Sequence, residues 1–151
     1  MAETIYDALR ESHERQRMLC RQLLESAAEG DGRQEIFRTL RREESAHAAA
    51  EERFLYAPIL MHDNGLSPSR HALSEHHCID ELFEELAKEP PSSRGWLQRA
   101  RTLCEKIEHH LEEEETRFFQ QSGKLLDEAA KRSLATAYRA DYERMLESPV
   151  F

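Results

Sequence analysis

Apolar residues in this chain recur every three or four positions, and no stretch alternates apolar and polar residues for long. That period belongs to helices with one buried face, so the sequence predicts an all-α fold without strands. Cap and turn residues divide it into five helices. Thr4 with Asp7 reads as a capping pair opening the first, and Gly30-Asp31-Gly32 closes it. The second spans about residues 33–62 and stops at Asp63-Asn64-Gly65, with Pro58 expected to kink or fray its last turns. Ser67-Pro68 opens the third, and Lys88-Glu89-Pro90-Pro91 ends it. Ser92-Ser93 caps the fourth, which extends to about Gln121 before Ser122-Gly123, and the fifth covers roughly residues 127–146. Short connections between long helices favour antiparallel neighbours. The expectation is a single domain, residues 1–151: an up-and-down antiparallel four-helix bundle (1–122) with an additional C-terminal helix (124–146). That last helix carries the stripe Leu126, Ala130, Leu134, Ala137 and Asp141, which is only partly apolar. It is expected to pack outside the bundle, over its end or against a second copy.

Composition narrows the function classes. The 151 residues carry a net charge of −9 with no lysine or arginine cluster, so a nucleic-acid backbone or an anionic membrane surface is not an expected partner. The longest apolar run, Phe54 to Met61, contains Pro58 and is far short of the roughly 20 residues that span a bilayer. The first residues lack the basic-then-apolar pattern of a secretory signal. Cys20, Cys78 and Cys104 are odd in number and widely separated, which disfavours a disulfide framework. Buried free thiols in a reducing cytoplasm are the expectation.

The chemistry lies in the histidines. His13 and His47 are 34 positions apart, as are His76 and His110, and the two pairs are offset by 63 positions (13 to 76, 47 to 110). Glu51 and Glu114 obey the same offset, each four residues after a histidine. Helical phase separates these histidines from the others. His13 shares a face with Ile5, Leu9, Cys20 and Leu24; His47 with Ile36, Leu40, Glu51 and Phe54; His76 with Leu73, Ile79 and Phe83; His110 with Leu103, Ile107, Glu114 and Phe118. His71, His77 and His109 share faces rich in charge, and His62 sits at a helix end, so these four are expected in solvent. A single histidine on an apolar face is ordinarily a core residue hydrogen-bonded to a neighbour. Four imidazoles and two carboxylates buried together without a cation would cost several kcal/mol for each unpaired ion, and a metal removes that cost.

The expected metal ligands are therefore His13, His47, Glu51, His76, His110 and Glu114, arranged as a dinuclear site between four helices. A donor set of nitrogen and oxygen without thiolate suits iron or manganese, with zinc as a substitute. Two octahedral ions offer about twelve coordination positions. Four histidines, two bridging glutamates and a bridging oxide or hydroxide fill most of them, and about two stay open for O2, H2O2 or NO. Asp80, four residues after His76, and Glu43, four before His47, read as ligands, as partners of an imidazole N–H, or as surface charge. Tyr6 reads as packing at the bundle end or as a neighbour of the site. Phe54, Phe83 and Phe118 are expected to wall it.

The segments SAHAAAEERFLYAPIL, LSEHHCIDELFEEL and IEHHLEEEETRFF, with IYDALRESHERQR ahead of them, resemble the hemerythrin-like HHE cation-binding domain over about the first 120 residues. The resemblance implies a four-helix bundle around a non-haem di-iron centre with two Fe ions. Its ligand pattern falls on His13, His47 with Glu51, His76, and His110 with Glu114. The oxygen-carrying hemerythrins have a further histidine where this chain has Asp80, and an aspartate five residues after the last histidine where this chain has Glu114 at four. The four-histidine form is more similar to the branch linked to iron sensing, NO or peroxide chemistry and iron-centre repair. The resemblance thus implies a peroxide- or NO-reactive oxidoreductase, or alternatively a non-catalytic store or sensor of iron or oxygen. No protein partner and no individual catalytic residue follow from it.

Overall fold

The computed structural model describes residues 2–148, and among them every regular element is a helix. Helix α1 is Ile5–Glu25. Helix α2 runs Gly32–Glu51, continues through a π-helical stretch Glu52–Tyr56, and ends with Ala57–Leu60. A 3-10 turn, Asp63–Gly65, leads into α3, Leu66–Ala87. Helix α4 repeats the design of α2: Trp96–Glu113, a π-helical stretch Glu114–Phe118, then Phe119–Gly123. Helix α5 is Glu128–Glu147. Helices α1 to α4 form the up-and-down antiparallel bundle, each touching the next and α4 returning to α1, while α5 lies along α1 and α2. No helix among the described residues is long and apolar enough to cross a membrane.

Side-chain caps explain the starts of α1 and α5. Thr4 and Asp7 form the expected reciprocal capping box, with the Thr4 N–H donating to Asp7 at 3.0 Å. Asp127 caps α5 by accepting from the Ala130 N–H at 2.7 Å. Other boundaries differ from expectation. Helix α1 stops at Glu25, before the glycines, because Ser26 turns its hydroxyl back to the Leu23 carbonyl and Arg33 takes the Ser26 carbonyl. Ser67 and Pro68 lie inside the first turn of α3, where the missing proline N–H costs nothing, and Gly65 holds the cap position. Helix α4 begins at Trp96 rather than at the serines, after Gly95 with φ 79°. Trp96 is fully buried and donates its indole N–H to the Leu86 carbonyl at 3.0 Å, satisfying the end of α3. Pro58 produces no break: α2 changes to π-helical bonding just ahead of it, and α4 does the same without any proline.

The apolar interior is in two pieces. One contains Ile5, Leu9, Leu55, Tyr56, Ile59, Phe118, Phe119, Tyr138 and Tyr142. The other contains Leu23, Phe37, Leu40, Phe83, Trp96, Leu103 and Ile107. Each fully buried large side chain contributes on the order of 2–3 kcal/mol. Along each bundle helix, polar residues separate the two clusters: His13 and Gln16 on α1, Glu44 and His47 on α2, His76 on α3, and His110 with Glu114 on α4.

Helix α5 buries Ala135, Tyr138, Asp141 and Tyr142; of the expected stripe, Asp141 is buried and Leu126, Ala130, Leu134 and Ala137 are half-buried. The polar ends of this face decide the rotation. Tyr142 donates to Glu43, Arg15 donates to Glu43 at 3.0 Å, and Arg53 meets Asp141 at 2.8 Å. Cys20 and Cys104 are buried as expected, but Cys78 is exposed.

Gly65 closes the turn between α2 and α3 so tightly that a Cβ there would lie 2.1 Å from the Ile59 carbonyl oxygen. Gly65→Ala should destabilise the fold by about 1–3 kcal/mol, through a forced backbone shift, without touching the polar belt. Denaturant unfolding monitored by Trp96 fluorescence checks it; an unchanged midpoint would count against this packing.

Candidate metal centre

Six side chains from four helices converge at the belt: His13 from α1, His47 and Glu51 from α2, His76 from α3, and His110 and Glu114 from α4. None is more than 3% exposed. The i, i+4 spacing of His47 and Glu51, and of His110 and Glu114, puts each pair on one face of its helix. Their atoms fall into two groups of four that could each hold an ion. One is His13, His47, Glu51 and Glu114; the other is His76, His110, Glu51 and Glu114. Both carboxylates belong to both groups. His13 Nε2 is 3.2 Å from Glu114 Oε1, His47 Nε2 is 3.4 Å from Glu51 Oε1, and His76 Nε2 is 3.2 Å from the same Glu51 oxygen. His76 and His110 bring their Nε2 atoms within 3.1 Å of each other.

Every one of the four imidazoles is held at its other nitrogen. Nδ1 of His13 meets Glu115 at 2.7 Å, that of His47 meets the Tyr138 hydroxyl at 2.8 Å, that of His76 meets Glu52 at 2.9 Å, and that of His110 meets Glu75 at 3.0 Å. A partner at Nδ1 fixes the ring and turns Nε2 inward, where it can bind a cation once any proton on it is displaced, which is the arrangement of metal-binding histidines. The half-to-half offset of 63 positions extends to these partners: Glu52 serves His76 and Glu115 serves His13. It fails instructively at the other pair. The position matching Glu75 is Ser12, too short to reach His47, and Tyr138 from α5 bridges the gap by bonding Ser12 at 2.7 Å and His47 at once.

The donor set fits a pair of cations. His13 Nε2, His47 Nε2, Glu51 Oε2 and Glu114 Oε1 are buried without a hydrogen-bond partner, and all four point into the same space. Without cations, protons offset the charge. Burial and the neighbouring Glu51 charge push the Glu114 carboxyl up to about 8, because two adjacent carboxylates cannot both stay ionised in a dry interior. Burial opposes charge on Glu51 as well, but His47 and the hydrogen bonds around it hold it well below the ordinary range. Burial also works against His13, yet the adjacent Glu114 and Glu115 carboxylates outweigh it and push the imidazole up to about 9. Burial dominates at His47, lowering it to about 4.

Sequence patterning missed Tyr56. It is fully buried on the π-helical stretch, and its hydroxyl lies between the carboxyls of Glu51, to which it donates at 2.9 Å, and Glu114, and is 3.3 Å from His76 Nε2. Tyr56 is five residues after Glu51, which on an α-helix is the wrong face; the extra residue in the π turn swings it back. Phe119 is five after Glu114 and stacks on His13 with ring centroids 5.8 Å apart. The aromatic wall is thus Tyr56, Phe118 and Phe119. Phe83 sits in the other cluster against Phe37, and Phe54 is half-buried. Asp80 is exposed and outside both groups. Glu43 is bonded by Tyr142 and Arg15, and Tyr6 shares a hydrogen bond with Ser122 at 2.8 Å, away from the centre. His62, His71, His77 and His109 are exposed as expected.

A cavity of about 330 Å³ between α3 and α4 reaches the centre at His110 and Glu114, with His71, Glu75, Glu113 and Phe118 among its walls.

The family model described as the hemerythrin HHE cation binding domain matches residues 4–122, which include all six convergent side chains. No curated protein matches the chain. Among solved structures, the chain is similar to a hemerythrin HHE cation binding domain-containing protein from Mycobacterium kansasii, a homolog of Rv2633c. The TM-score is 0.86, at 23% identity over 97% of this chain and 89% of that one, so the shared fold takes in α5 as well as the bundle.

Two outcomes follow from the geometry. Tyr138→Phe removes the partner of His47 Nδ1 and should weaken metal binding about ten- to a hundredfold, read by competition with a chelator of known affinity; unchanged affinity would show that α5 plays no part in orienting His47. Metal binding must also displace the protons on Glu114 and His13, so apparent affinity should climb as pH rises and level off above about 9. Metal titration in a weakly buffered indicator dye should register proton release at pH 7, and its absence would contradict this protonation.

Proposed function

The chain belongs to the hemerythrin HHE cation-binding family, and from that premise we propose that it holds two iron ions at a non-haem centre that binds or reacts with O2, H2O2 or NO. The observation that carries the reading is the sharing of Glu51 and Glu114 by two buried histidine pairs, with His13 Nε2, His47 Nε2, Glu51 Oε2 and Glu114 Oε1 left without hydrogen-bond partners. Bound iron supplies a redox-active pair of Lewis acids with coordination positions to spare; manganese or zinc fits the same donors.

The protein's own residues supply the rest. Glu115, Tyr138, Glu52 and Glu75 fix the four rings. Phe118 and Phe119 keep water from one side of the centre. The cavity between α3 and α4 gives a small ligand a path to His110 and Glu114. Burial and the two carboxylates push the Tyr56 phenol well above its usual range, so at neutral pH it stays protonated and donates a hydrogen bond at the centre. Reversible binding in a non-catalytic store or sensor of iron or oxygen is the second reading. It draws on the same phenol, which offers a donor but no general base.

Purified without chelator, the protein should contain about two iron ions per chain and show an absorption band that changes on adding H2O2 or NO. His110→Ala should lower the metal content and abolish that change. Peroxide consumption over many turnovers favours the oxidoreductase, whereas a reversible spectral change without consumption favours the store or sensor. Protein free of metal after anaerobic iron loading, or iron-loaded protein inert to all three ligands, would overturn the proposal.

A further inference from the structure

The 63-position offset allows the two flanks of the bundle to be compared within one molecule. On the α1–α2 flank, Ala8, Ser12, Ala46 and Ala50 are small and buried, and α5 with Tyr138 and Tyr142 covers them. The matching positions on the α3–α4 flank are His71, Glu75, His109 and Glu113 (71 for 8, 75 for 12, 109 for 46, 113 for 50). Among the described residues no helix lies over them. The flank that is sealed by small residues on one side is open on the other, and it carries imidazoles and carboxylates at the mouth of the cavity.

We propose that His71, Glu75 and Glu113, with His109 beside them, form a further, mononuclear site for a divalent first-row cation, which feeds the centre beneath it. Donor atoms of His71, Glu75 and Glu113 all lie within 4.8 Å of one another. His71 Nε2 is 2.8 Å from Glu113 Oε1 and 3.5 Å from Glu75 Oε1, and His109 Nε2 is 3.3 Å from the other Glu113 oxygen. His71 with Glu75 and His109 with Glu113 repeat the i, i+4 spacing that His47 and Glu51 use. Mixed imidazole and carboxylate donors again select iron, manganese or zinc. Glu75 is only 6% exposed and connects the two places: its Oε1 is also 3.0 Å from His110 Nδ1. Lys106 stands 3.4 Å from the other oxygen of Glu75, so Oε1 is the atom facing the cluster. A cation held here lies on the path by which the cavity reaches His110 and Glu114.

The feeding role rests on the dinuclear reading above, and the test separates the two. The double variant His71→Ala/Glu113→Gln changes no side chain of the six-residue centre and leaves Glu75 in place. Metal-free wild type titrated anaerobically with Fe2+ should take up three ions, the third more weakly. The double variant should take up two, and fill them about tenfold or more slowly in stopped flow, as expected when charge that steers the ion is removed. Retention of two ions by the variant shows that it is folded. A wild type that stops at two, a variant that still binds three, or equal filling rates would overturn the proposal. A wild type binding a single ion that the double variant loses would instead keep this outer site and refute the dinuclear centre.

Discussion

The bundle depends on how it accommodates charge in its middle. Two apolar clusters stabilise its ends, and between them lies a buried polar belt whose centre is four imidazoles and two carboxylates, with Gln16 and Glu44 beside them. Isolated ions in such a place cost several kcal/mol each. The belt manages this in two layers. Outward, each imidazole is satisfied by a carboxylate or a phenol at Nδ1. Inward, four atoms have no partner, and only protons or cations can compensate them. One glutamate carboxyl held protonated beside an ionised neighbour, together with inward atoms that lack partners, makes a site prepared for cations rather than a stabilising salt-bridge network.

The second organising fact is an internal repeat that is approximate in sequence and close in chemistry. The inner donors and two of their outer partners repeat at 63 positions, and both long helices that carry a shared glutamate turn π-helical at it or one residue after it. Helix α5 breaks the repeat. It occupies one flank, brings Tyr138 to the place where Ser12 is too short, and leaves the opposite flank to a cavity. What looked in sequence like an appended helix therefore belongs to the support of the centre.

Fold class, helix number and the six convergent residues were legible because each rests on α-helical phase and local punctuation, which a single sequence encodes. Thr4, Asp7 and Asp127 act at their own helix ends, so they could be read directly. Three kinds of feature were hidden. Tyr56 and Phe119 lie five residues after their glutamates, and a π turn is needed to bring them round. Glu115, Tyr138 and Glu75 act on rings from other helices, a relation that no spacing within one helix reveals. The buried face of α5 is set by Tyr138, Asp141 and Tyr142 meeting Ser12, Arg53 and Glu43, so the expected stripe found Asp141 and the edge of that face, with Leu126 and Leu134 packed against the core, but missed the two tyrosines at its middle. Asp80 and Glu43 had suitable spacing but answer to solvent and to Tyr142.

The broken repeat makes the two halves of the centre chemically unequal. His76 and His110 both lean on carboxylates, Glu52 and Glu75. His13 leans on a carboxylate and His47 on a neutral phenol. A carboxylate at Nδ1 makes an imidazole a stronger donor than a hydroxyl does, so the position between His76 and His110 is the more electron-rich of the two. It is also the position that the cavity reaches and where Tyr56 contacts His76. Donor strength, access and the Tyr56 phenol that touches both glutamates coincide on one side, while Phe119 and α5 close the other. An ion or small molecule entering through the α3–α4 cavity would therefore reach the His76 and His110 side first, while the His13 and His47 side is joined to it through Glu51 and Glu114.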